Sequence, residues 1–133
     1  MQAQPLICVR DVEASLSWYN TLLGSHCTSG GHGYARLFVD GRLLLQLHEW
    51  GMTHEHGPIG DPGLIPGNGV LLWFEVPDFE AAADRANRLD AQVVLPIHWN
   101  PRPGHWELWL RDPDGYTIVL ASPDGTEMDH SAS

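Results

Sequence analysis

Histidine and acidic side chains that could bind a metal or move a proton fall at His48 and Glu49, at His54, Glu55 and His56, and at His98 and His105. A metalloprotease-type helix needs a second histidine four residues after the first, so that both rings face one ion. Met52 and Pro58 occupy those places, which removes that motif. Glu75 and Glu107 are two carboxylates that could divide acid and base work, although nothing in the sequence fixes their separation. All seven basic residues are Arg and none is Lys, which excludes a Schiff-base lysine and a phosphate-loop lysine. The chain has no G-x-S-x-G, and Gly31-His32-Gly33 lacks the third glycine of a dinucleotide fingerprint.

These groups must be held by strands and turns. Glu107–Ser122 reads as strand, tight turn, strand: Trp109 and Leu110 lead in, Asp112-Pro113-Asp114-Gly115 punctuates, and Tyr116–Leu120 is rich in β-branched residues. Asp-Gly between two such runs is a strong hairpin signal, because glycine takes the positive φ that a tight turn requires. The same logic recurs at Asp40-Gly41, between Tyr34–Val39 and Leu43–Glu49. In the latter run Leu43, Leu45 and Leu47 share one face, while Leu44, Gln46 and His48 share the other.

The chain also repeats itself. Val9, Asp11, Glu13, Ala14 and Leu22 recur 67 positions later as Val76, Asp78, Glu80, Ala81 and Leu89. In each half an apolar strand precedes an Asp at the N-cap position, with a Glu in the first turn where the helix dipole favours it. Val12, Leu16, Tyr19 and Leu23 form the expected apolar face of the first helix, which Gly24 can end. Phe79, Ala82, Ala83, Ala86 and Leu89 do the same for the second. Three strand-like segments follow each helix, so the expected architecture is α+β, with two tandem βαβββ modules. Module 1 covers 4–50, a Gly- and Pro-rich connector 51–68, module 2 69–122, and a polar tail 123–133 is expected to fray.

This order, with V-x-D-x-E-A helix entries and the late DPDG turn, resembles the vicinal oxygen chelate superfamily, which includes glyoxalases, extradiol dioxygenases and bleomycin-resistance proteins. The resemblance implies a curled mixed sheet with helices outside and a cup inside. It also implies metal ligands at four positions, which fall here on Gln4, Gln46, Leu71 and Val119. Two aliphatic side chains among the four leave too few donors for a divalent ion, so no cofactor is expected. A relocated metal site around His48, using Glu75 and His105 or Glu107, is the alternative. The expected cup wall comprises Gln46, His48, Trp50, Trp73, Glu75 and Trp109. Trp73 alternates with helix-facing neighbours and so points away from the main layer, whereas Trp18 and Trp106 read as core. Indole faces beside carboxylates suit a planar or cationic ligand. The leading expectation is therefore a small-molecule binding protein. The alternative is a metal-dependent lyase, isomerase or dioxygenase with its metal near His48. Relatives suggest a homodimer.

Composition narrows the partners. The 133 residues, 43% of them hydrophobic, suffice for a real core. A net charge of −10 disfavours nucleic acid and favours cations. No apolar run approaches membrane-spanning length, and Cys8 and Cys27 form no CxxC, so a cytoplasmic location is expected.

Overall fold

Alternation and capping produce the same supersecondary unit twice in the computed structural model, which describes residues 1–31, 33–51 and 59–125. The histidines at 54 and 56, Glu55, and the tail beyond Gly125 lie outside these residues. The elements are β1 (Leu6–Val9), α1 (Val12–Leu23), β2 (Ser29–Gly31), β3 (Tyr34–Val39), β4 (Arg42–Glu49), β5 (Leu71–Glu75), α2 (Phe79–Arg88), β6 (Gln92–Asn100), β7 (His105–Arg111) and β8 (Thr117–Ala121). They form two units, Met1–Pro66 and Gly67–Ser133.

In the first unit the sheet order is β1-β4-β3-β2. β1 runs parallel to β4, while β3 is antiparallel to both β4 and β2. The β3–β4 turn has Asp40 at φ 50° and Gly41 at φ 75°. Two consecutive positive-φ residues make the hairpin turn whose twist matches its strands. The Asp11 carboxylate caps α1 by accepting from the Ala14 N–H at 3.1 Å, and Gly24 closes the helix in the left-handed conformation at φ 69°. The buried helix positions are Val12, Ser15, Leu16, Tyr19 and Leu22. Leu22 therefore replaces the expected Leu23: one residue is about 100° of helical rotation, enough to carry Leu23 to the edge of the stripe. Leu43, Leu45 and Leu47 are buried together with Leu37 and Val9.

The second unit repeats the topology, with order β5-β8-β7-β6 and β5 parallel to β8. Asp78 caps α2 through the Ala81 N–H at 3.1 Å, and Arg85 and Arg88 lie in its last turn, where cations are favoured. Ala82, Ala83 and Ala86 are its buried face. These small side chains let the helix approach the sheet face that carries Leu72, Phe74, Leu108, Leu110, Ile118 and Leu120, all buried. In the β7–β8 turn the Asp112 carboxylate accepts from the N–H groups of Asp114, Gly115 and Tyr116, each at 2.9 Å. Gly67, at φ 67°, lies so close to the Tyr116 ring that a Cβ there would come within 2.8 Å of it.

The chain after β8 is held rather than frayed as far as Gly125. The Ser122 N–H donates to the Trp106 carbonyl and the Gly125 N–H to the Gly104 carbonyl, both at 2.9 Å. The Trp106 N–H in turn donates to Ser122 Oγ at 2.8 Å. Backbone groups left over at the start of β7 thus find partners in the following segment, which corrects the expectation of a loose tail from residue 123.

Candidate functional site

Register decides which side chains meet on the face of the second sheet opposite α2. Leu71, Thr117 and Arg111 lie side by side across β5, β8 and β7; then Trp73, Val119 and Trp109; then Glu75, Ala121 and Glu107. His98 and Leu95 extend the last two rows onto β6. Exposure follows the same pattern on β5, where Leu71 and Trp73 are 42% and 46% exposed while Leu72 and Phe74 are buried. The expected outward turn of Trp73 is therefore observed, as is the shared face of Trp73, Glu75 and Trp109.

Glu107 is the organising group of this face, although only 2% exposed. Its Oε1 accepts from Trp109 Nε1 at 2.9 Å, with His98 Nε2 at 3.3 Å. Its Oε2 accepts from Asn100 Nδ2 at 2.9 Å and from His105 Nε2 at 2.5 Å. The other nitrogen of His105, Nδ1, donates to Asp124 Oδ1 at 3.0 Å. A carboxylate at each ring nitrogen favours the protonated imidazole, in which both nitrogens donate. Burial alone would lower the His105 pKa, but hydrogen bonds and charge from Glu107 and Asp124 outweigh it and raise it. Burial would likewise raise the Glu107 pKa. The N–H groups of Trp109, Asn100 and His105, together with the His105 charge, hold it down at about 2.

Such a carboxylate is a poor proton acceptor, and its oxygens are already occupied. Nor does Glu107 form a facing pair with Glu75. Ala121 stands between them in the register, and Glu75 is exposed at the end of β5. Glu107 instead fixes Trp109 and His105, and His105 supports Trp73, whose ring centre lies 5.8 Å away at an interplanar angle of 48°. The part played by Asn100, His105 and Asp124 was missed in the sequence. Alternation places His105 and Glu107 on one face, but Asn100 reaches them only across the β6–β7 register, and Asp124 only through the turn after β8.

In the first unit, Gln46 and His48 share the sheet face opposite α1, as expected. The Gln46 amide accepts from the Tyr34 hydroxyl and donates to the Gln4 carbonyl at 2.9 Å. His48 is 4% exposed, with Nδ1 3.0 Å from the Glu49 carbonyl. Trp50 follows the end of β4 and packs where a Cβ on Gly60 would meet its ring at 3.4 Å. With Cys8, His48 and Glu49 it lines a cavity of about 160 Å³. Trp50 thus belongs to a pocket at the strand end rather than to the open sheet face.

The four positions that the resemblance assigns to a metal do not fit one. Leu71 and Val119 present hydrocarbon, and the Gln46 amide is engaged by the Tyr34 hydroxyl and the Gln4 backbone carbonyl. A divalent ion needs several charged or imidazole donors converging on one point. Among the described residues no group of three His, Cys, Asp or Glu side chains is placed to hold one. No helix among them is long and apolar enough to cross a membrane.

Comparison with known proteins agrees with this architecture. A family profile described as "Glyoxalase/Bleomycin resistance protein/Dioxygenase superfamily" matches residues 2–120. A solved Agrobacterium tumefaciens protein of unknown function is similar, with 23% identity over 92% of this chain and 94% of its own, at a TM-score of 0.71. A lactoylglutathione lyase, also from Agrobacterium tumefaciens, shares 16% identity over 92% of both chains at a TM-score of 0.69. A glyoxalase/bleomycin resistance protein from Catenulispora acidiphila shares 21% over 92% of this chain and 98% of its own, at 0.62. No curated protein matches the sequence. At these identities the solved structures establish the fold alone.

Proposed function

The chain belongs to the glyoxalase/bleomycin resistance protein/dioxygenase superfamily, and on that premise we propose that it is a small-molecule binding protein that sequesters an aromatic or cationic ligand against the exposed Leu71–Trp73–Glu75 strip of β5. The observation that carries this reading is Trp73. A large indole, 46% exposed, has its ring centre 5.8 Å from the imidazole of a buried charge network. Exposed tryptophan is a poor use of apolar surface unless something covers it, and its π-face attracts cations. Glu75 beside it and the net charge of −10 favour positive ligands. Protection would come from mass action, with no bond made or broken.

The donor chemistry at the family's metal positions supports a binder over the alternative of a lyase, isomerase or dioxygenase with its metal near His48. That enzyme would need ligands besides His48, and the described residues supply no convergent set. Exposed apolar residues on the edge strand β6, Val93, Leu95 and Ile97 at 51%, 41% and 50%, support association into a homodimer. Both cysteines are free thiols, consistent with the reducing cytoplasm.

Calorimetric titration with aromatic ammonium compounds, run beside elemental analysis of protein purified without chelator, tests the proposal. Saturable binding that weakens in a Trp73→Ala variant supports it. Stoichiometric metal bound through His48, with turnover lost in His48→Ala, would replace it with the enzyme.

A further inference from the structure

We infer that the ligand of this face is a zwitterion, with a planar aromatic group between a cationic end at Glu75 and an anionic end at Arg111. The inference rests on the reading of the Trp73 face as the binding site. Leu71, Trp73 and Glu75 follow one another on the same side of β5. A strand rises about 3.4 Å per residue, so neighbours on this strip are about 7 Å apart and its ends about 14 Å apart. At one end Glu75 stands in register with Ala121 and Glu107. The ionisable groups there are the carboxylates of Glu75, Glu107 and Asp124 and the imidazoles of His105 and His98. His105 and Glu107 neutralise one another inside the sheet, while Asp124 is 67% exposed and Glu75 is exposed. The end open to a ligand is therefore anionic.

At the opposite end a single cation among the described residues, Arg111, stands beside the Asp112 and Asp114 carboxylates of the β7–β8 turn, and the Asp112 carboxylate is taken up by backbone N–H groups of that turn. Arg111 is in register with Thr117, and Thr117 with Leu71. Arg111 Nη1 donates to Thr117 Oγ1 at 2.6 Å and to the Gly115 carbonyl at 3.3 Å, which holds the guanidinium beside the start of β8, the strand next to β5. Both contacts use the same nitrogen. A guanidinium has five N–H donors in a planar fork suited to a carboxylate, sulfonate or phosphate. An aromatic cation alone answers Trp73 and Glu75 but brings nothing to Arg111. Arg111 lies two strands across from Glu75 as well as four residues along, about 17 Å between Cα atoms, so a ligand with charged groups about 10 Å apart, met by both side chains reaching inward, answers all three.

Three compounds of one shape test this: 4-[4-(trimethylammonio)phenyl]butanoate, its methyl ester, which lacks the negative charge, and 4-(4-tert-butylphenyl)butanoate, which lacks the positive one. The expected result is that the zwitterion binds at least tenfold more tightly than either partner. Arg111→Gln should abolish its advantage over the ester without weakening the ester. If Arg111→Gln does not fold, the unaltered protein still decides, because an ion pair at Arg111 makes the zwitterion's advantage shrink as salt rises. Equal affinity of zwitterion and ester, with both weakened by Trp73→Ala, overturns the zwitterion and leaves the aromatic-cation site standing. Failure of all three compounds to bind in a Trp73-dependent way overturns both.

Discussion

The indole of Trp73 on β5 and the imidazole of His105 at the start of β7 lie 5.8 Å apart between ring centres, reaching past the intervening strand β8. The exposed aromatic surface is thereby tied to the buried ionic pair beneath it. Since His105 is anchored by Glu107 and Asp124, the position of Trp73 depends on the two carboxylates that hold the imidazole.

Trp73→Ala is expected to separate binding from stability. Loss of one stacking and cation–π surface, about 1–2 kcal/mol, should weaken aromatic cations about tenfold. Because the side chain is half exposed, the unfolding midpoint should shift little. Calorimetry and urea denaturation on the same variant measure the two effects.

Glu107→Gln should do the opposite of a surface change. Removing one member of a buried pair leaves the His105 charge and several N–H donors without their acceptor, so a loss of about 3 kcal/mol is expected. Glu75→Gln, on the exposed end of β5, should stay within about 0.5 kcal/mol of the parent. Equal effects of the two in urea unfolding would contradict the buried network around Glu107.

Stability should depend on pH from both sides of the pair. Glu107 is lowered from an ordinary 4.5 to about 2, so its contribution is complete above about 4.5 and disappears as pH falls through about 2. His105 is raised from 6.5, so its contribution is complete below that value and disappears as pH rises through the higher pKa of the folded state. The pair therefore stabilises most between about 4.5 and 6.5. Urea midpoints across pH should show this band, and Glu107→Gln should flatten its acidic flank.

Two glycines with similar backbone angles should respond differently to alanine. At Gly41 a Cβ meets nothing within 4 Å, leaving only the positive-φ penalty of roughly 1 kcal/mol. At Gly67 the added carbon collides with Tyr116, so backbone strain and steric displacement together should cost about 2–4 kcal/mol. Thermal unfolding of the two variants provides the comparison.

Much of this architecture is legible before any coordinates. The Asp-Gly turns, the Asp caps at positions 11 and 78 and the strand alternation are local signals, and each is satisfied by atoms a few residues away. Alternation also sufficed to turn Trp73 and Glu75 outward. The Glu107 network was not legible, because its members come from β6, β7 and the turn after β8 and meet only through cross-strand register. Glu107 thus looked available for proton transfer when its oxygens are already filled. Trp109 looked like a simple wall until its N–H was seen to end on that carboxylate.

The hold on Ser122–Gly125 bears on where this protein can be shortened. A cut after Ala121 would retain every helix and strand among the described residues, and by secondary structure alone would look harmless. It would nevertheless remove the Asp124 counter-ion of a buried imidazolium and the partners of the Trp106 and Gly104 backbone groups. The smallest intact version of the second unit must extend to Gly125, four residues beyond the last strand.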